Sequence, residues 1–157
     1  VWVDGNLFRA MSTMPYVVPF DGLNVINLPF GGENSLVLMP VFMDPVGLGN
    51  NYQFVQSNNG KRQPNIFVLD DKNNDGAQIS SLLITPDLET NIGDTILVEM
   101  RNIDRATYDF WRTWEQNQSN VGNPFSVPIK VLGNINNNAL GLWGGYAAQE
   151  LKIDIPR

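Results

Sequence analysis

The chain has 157 residues, with 10 basic and 16 acidic side chains, a net charge of −6 at pH 7 and a pI near 4.4. A single domain of this length buries about two-thirds of its unfolded surface, and its acidity makes it a poor electrostatic match for nucleic acid or an anionic bilayer. The sequence has no histidine and no cysteine, which excludes a Cys/His zinc site, a thiolate nucleophile, a Ser-His-Asp triad and a histidine general base.

Strand patterns dominate from the N-terminus onward. They cover Trp2–Phe8, Asn24–Phe30, Ser35–Met43, Tyr52–Ser57, Ile66–Asp70, Ile79–Thr85 and Thr95–Arg101. In the last of these, Ile96, Val98 and Met100 share one face while Thr95, Glu99 and Arg101 share the other, the alternation of a half-buried strand. Turn residues separate the runs: Asp21-Gly22, Gly31-Gly32, Asp44-Pro45, Asn59-Gly60, Asp75-Gly76 and Gly93-Asp94. Asp104 to about Gln118 then reads as a helix. Asp104 is placed to cap it, Ile103 and Tyr108 fit a hydrophobic staple, and Gly122 and Pro124 close it. Further strands are expected at Ile129–Ile135, Leu140–Ala147 and Leu151–Ile155. The sum is a single all-β, mainly antiparallel domain over residues 1–157, a β-barrel or β-sandwich of about nine strands with one helix late in the chain.

Composition agrees with this reading. Charged residues are 17% of the chain, against about 25% in an average soluble domain, and uncharged polar residues fill the gap. Asparagine alone occurs 20 times, and it marks turns because it tolerates positive φ and bonds its own backbone. The longest apolar run, Leu36 to Met43, is too short for a membrane-spanning helix and contains Pro40. Beginning Val1-Trp2-Val3, the chain reads as a piece of something longer.

Several stretches, in order, resemble one family. They are Trp2-Val3-Asp4-Gly5-Asn6-Leu7-Phe8-Arg9-Ala10 with Met14-Pro15-Tyr16-Val17-Val18, then Phe42-Met43-Asp44-Pro45 with Asn50-Asn51-Tyr52-Gln53-Phe54. Next come Asn91-Ile92-Gly93-Asp94-Thr95-Ile96-Leu97-Val98, then Ile103-Asp104 and Tyr108-Asp109-Phe110, a Gly-Asp strand and the helix after it. The most specific block is Asn123-Pro124-Phe125-Ser126, Gly133-Asn134-Ile135 and Leu140-Gly141-Leu142-Trp143-Gly144-Gly145-Tyr146. The family is a group of uncharacterised Gram-negative lipoproteins, labelled as a domain of unknown function, whose genes commonly neighbour those of TonB-dependent outer-membrane receptors. The chain lacks the family's lipid-anchor cysteine and leading portion, so the resemblance is to the C-terminal domain. It implies an outer-membrane, cell-surface or periplasmic location through a lipid anchor outside this chain. It also implies association with a TonB-dependent nutrient-uptake receptor; a small ligand or glycan is the further partner expected. No catalytic residue and no cofactor is implied.

Candidate sites each have a structural alternative. Trp111 and Trp114, with Tyr108 and Phe110, offer an aromatic platform for a flat ligand, or simply the stripe by which the helix docks on the sheet. Trp143 and Tyr146 flank Gly144-Gly145, where a ligand or another backbone can approach closely, or where the chain bends. Asn134, Asn136, Asn137 and Asn138 carry the amides that bind neutral sugars, but such residues also make turns. Paired carboxylates, among them Glu99, Glu115, Asp94, Asp104 and Asp109, are the hydrolytic chemistry left without histidine. Finally, Asp71-Lys72-Asn73-Asn74-Asp75-Gly76 matches the first half of a calcium loop through Asp71, Asn73 and Asp75. Its twelfth position is Leu82, which cannot ligate, and the flanks read as strands. The expectation is a hairpin turn holding no metal.

Overall fold

The computed structural model describes residues 1–30, 33–84, 91, 93–120, 126–127 and 129–155. Among them are nine strands in three sheets and one helix, with no closed barrel. The short hairpin of β1 (Trp2–Val3) and β2 (Asn6–Leu7) stands by itself. β3 (Gly22–Phe30), β4 (Glu33–Met43) and β7 (Gln78–Ile79) form a three-stranded sheet in that order. The second main sheet runs β6 (Lys61–Asp70), β5 (Asn51–Asn58), β8 (Thr95–Ile103), β9 (Tyr146–Asp154). All the described pairings are antiparallel.

The two larger sheets share one core. Leu38 and Phe42 from β4 pack with Tyr52 and Phe54 from β5 and with Ile96, Val98 and Met100 from β8. Phe42 lies at the centre, its ring 4.7 Å from that of Tyr52 and 6.0 Å from that of Phe54. The strand alternation in β8 is as expected, with Ile96, Val98 and Met100 inward.

Helix α1 (Arg105–Ser119) also forms where the sequence places it. The Asp104 side chain accepts the Thr107 amide at 2.8 Å and caps the first turn, and the staple residues Ile103 and Tyr108 are both buried. The expected closers Gly122 and Pro124, the turn at Gly31-Gly32, residue Thr85 and the stretch Asn123-Pro124-Phe125 lie outside the described residues.

Four strand expectations are corrected. Trp2–Phe8 is a hairpin because Asp4 and Gly5 both take positive φ, 48° and 78°, the backbone of a type I′ turn. The same geometry at Asn59-Gly60 joins β5 to β6. Ile79–Thr85 is reduced to β7 and a bridge between Leu38 and Ile84. Leu38 exchanges both backbone bonds with Ile84 at 2.9 Å, so the two-residue period of β4 turns Pro40 toward the same neighbour. Proline has no N–H to donate there, and the ladder lapses. Ile129–Ile135 is not a strand, and Leu140–Ala147 becomes one only at Tyr146. β9 occupies the β8 edge with nine register pairs. The preceding segment is held by side chains instead: the Leu132 amide donates to Thr113 Oγ1 at 3.0 Å, and Asn134 clamps the Trp143 backbone.

The irregular arm of residues 8–21 is tied down in the same manner. Val18 N–H donates to Asn102 Oδ1 at 2.9 Å and Phe20 N–H to Gln149 Oε1 at 2.7 Å. These bonds seat Val18 and Phe20 in the core. Thr13 N–H reaches the cap residue, Asp104 Oδ2, at 3.2 Å.

Two outcomes follow for stability. Phe42→Ala removes the aromatic centre of the core and should cost about 3–5 kcal/mol, read as a lower denaturant midpoint. At Asp104, burial raises the carboxyl pKa, but hydrogen bonds from Ser12, Thr107 and Thr13 outweigh it and hold the group below its ordinary value. A depressed carboxyl stabilises the fold above its unfolded value and loses that contribution as pH falls through the lowered one. Stability should therefore fall below about pH 4, and Asp104→Asn, which keeps an acceptor at the cap, should flatten that dependence. Asp104→Ala should cost about 1 kcal/mol at neutral pH.

Candidate functional site

The aromatic residues singled out in the sequence are distributed over three places. Trp111 and Trp114 meet edge to face on α1 with ring centroids 5.8 Å apart, and Phe110 adds a second edge contact at 5.2 Å. The buried residues of the helix are Thr107, Tyr108 and Thr113, so the tryptophan stripe lies half out and is not the main docking face. Tyr146 begins β9 and lies under the Arg101 guanidinium, 4.2 Å from its ring centroid. Arg101 also pairs with Glu99 at 2.6 Å.

Trp143 is in neither group. Its side chain is 67% exposed and forms one wall of a recess of about 740 Å3. The other walls come from Val3, Phe8 and Met11 of the N-terminal arm and from Ile135 and Ala139. This volume falls in the range of small-molecule sites, and the lining is apolar as such sites usually are. Val3 and Phe8 belong to the stretch Trp2–Phe8 that the sequence presents as one strand, and Met11 lies beyond it. The signal that points to a recess is the pair of exposed apolar runs flanking Asp4-Gly5.

The asparagines near Trp143 hold these walls together. Asn136 Oδ1 accepts the Arg9 amide at 2.7 Å, and the Asn136 amide donates to Arg9 O at 3.0 Å. Asn137 Nδ2 donates to Leu7 O at 2.9 Å, and Asn134 Nδ2 to Met11 O and Trp143 O at 3.2 and 2.6 Å. Asn134, Asn136 and Asn137 are therefore engaged with backbone and leave few amide groups for a sugar. Asn137 and Asn138 hold positive φ, 58° and 56°. The glycines are packing devices. A Cβ on Gly144 would sit 2.4 Å from Thr107 Oγ1, and one on Gly133 would sit 2.4 Å from Gly141 O.

The D-x-N-x-D-G segment is not a hairpin. It carries the chain from β6 in one sheet to β7 in the other. Asp71 and Asp75 there meet Asp44, which follows β4, with one carboxylate oxygen of each within 4.8 Å of the others. Asn73 is not in that group, and Asp44 had no signal beyond its Asp-Pro turn. Every one of the three carboxylates is already an acceptor. Asp71 Oδ2 takes the amides of Gly49 and Asn50 at 2.8 Å, and Asp75 Oδ1 takes that of Gly47 at 2.6 Å. Asp44 takes the Tyr52 hydroxyl and, at 3.1 Å, the Gly76 amide. Burial, the Asp44 hydrogen bond and the nearby negative charge push the Tyr52 hydroxyl far above its ordinary value, which keeps it a donor. The arrangement locks residues 44–50 against 71–77.

The chain belongs to the family described as Domain of unknown function (DUF4249), whose model matches residues 24–152. No curated protein and no solved structure matches it significantly. The matched segment spans all but the ends of the two large sheets, the acidic lock, the helix and Trp143, whereas the arm residues of the recess precede it. Among the described residues no helix is long and apolar enough to cross a membrane.

Calcium titration checks the reading of the acidic lock. Millimolar calcium should leave the Tm unchanged, whereas Asp71→Ala, which strips two amides of their acceptor, should cost about 1–3 kcal/mol. A Tm rise with calcium that Asp71→Ala abolishes would show the trio to be a metal centre.

Proposed function

We propose that this domain is a non-enzymatic binding or accessory module of an outer-membrane lipoprotein, working with a TonB-dependent nutrient-uptake receptor. Its task is to capture or hand over a ligand, or to shape the receptor complex. The observation that carries the binding role is the open apolar recess beside Trp143, whose walls are fixed by asparagine side chains. A groove held in shape before a ligand arrives loses less entropy on binding. The lipid anchor, outside this chain, and the receptor association rest on the family resemblance of the motifs quoted above.

The acids support a role without catalysis. Glu99 is tied to Arg101, Glu115 is exposed on α1, Asp104 caps the helix and Asp109 pairs with Arg105 and Arg112. Asp94 accepts the Asn91 amide and the Asn59 side chain, bonds that lower its pKa in that order of weight. Each of these five acids therefore has a structural task or an open solvated position.

The test is a pull-down of the domain with a TonB-dependent receptor from the same genome. Co-elution at micromolar concentration is expected. An empty eluate, with both partners folded, refutes the receptor association.

A further inference from the structure

The recess holds one charged side chain. Arg9 lies on its lining among Val3, Phe8, Met11, Ile135 and Trp143. Its backbone is fixed to Asn136 through both N–H and C=O, so the residue is placed, while its side chain is exposed. The ion pairs among the described residues involve Arg101, Arg105 and Arg112, and none involves Arg9. In a chain of net charge −6, Arg9 brings to the lining of this apolar recess a positive charge that has no ion-pair partner among the described residues.

We propose that the recess binds an amphipathic carboxylate: an alkyl chain laid against Trp143, Phe8 and Met11, with its head group paired to the Arg9 guanidinium. This inference rests on the binding role proposed above and names its ligand class. The chemistry is complementary in both parts. The apolar wall gains from covering exposed hydrocarbon. The planar guanidinium fork matches a carboxylate in two parallel hydrogen bonds, which are stronger than neutral ones. A neutral sugar would find the Asn134 and Asn137 amide nitrogens already donating to backbone, and a cation would face Arg9.

Calorimetry with dodecanoate tests it, using the chain as described and dodecyltrimethylammonium as the probe of opposite charge. Dodecanoate should bind and the cation should not. Arg9→Gln should weaken dodecanoate by about tenfold, and Trp143→Ala should weaken it as well. Both side chains are exposed, so unchanged melting curves should accompany the loss, and if Trp143→Ala does not fold the Arg9→Gln comparison decides. No binding of dodecanoate, equal binding of the two probes, or binding indifferent to Arg9→Gln overturns the inference. Receptor co-elution without dodecanoate binding defeats this inference alone, and dodecanoate binding without co-elution defeats the receptor association alone.

Discussion

Side-chain amides and carboxylates that satisfy backbone groups outside the sheets hold this fold together. A buried N–H without a partner costs as much as a lost hydrogen bond, and much of this chain runs near the core without strand neighbours. Asn102 on β8 and Gln149 on β9 supply oxygens to the arm at Val18 and Phe20. Asp104 serves the arm and the helix at once, and Asp71 serves the turn before β5. Without these acceptors, Val18 and Phe20 could enter the core only by stripping their amides of water. The apolar core and the polar staples are therefore one constraint.

That constraint accounts for the composition. Asparagine and aspartate side chains are short and rigid enough to present an oxygen to a nearby amide, and asparagine does so without adding charge. The chain accordingly carries many asparagines and few lysines. The bias that the sequence displays as turn propensity is only half turn propensity: Asn59, Asn137 and Asn138 hold positive φ, whereas Asn102, Asn134 and Asn136 bind backbone across the fold.

What is legible in the sequence follows from range. β8 and α1 declare themselves because alternation and capping are local. The Asp4-Gly5 turn is equally local, and its two-residue hairpin signal was present but lay inside an apolar run. By contrast, nothing near Ile129–Ile135 reveals that β9 takes the β8 edge, or that Thr113 catches Leu132, since each is set by a partner elsewhere. Pro40 is an intermediate case. Its missing N–H is visible, yet which strand it deprives depends on Leu38 pairing with Ile84.

The candidate recess shows the same divide more sharply. Trp143 stands out in sequence as an aromatic beside glycines, but its partners Phe8, Arg9 and Met11 lie at the other end of the chain, and the bond between Arg9 and Asn136 spans a separation of 127 residues. Closing such a loop carries an entropy cost that grows only slowly with length, so the contact is possible, but a local pattern cannot encode it. Three asparagines at one end, Asn134, Asn136 and Asn137, and exposed backbone at the other are the parts; the sheets between them set the distance. The recess is therefore closed by bonds between the two ends of the chain themselves: Asn134 Nδ2 holds Met11 O and Trp143 O at once, and Gly145 N–H donates to Ser12 Oγ at 3.0 Å.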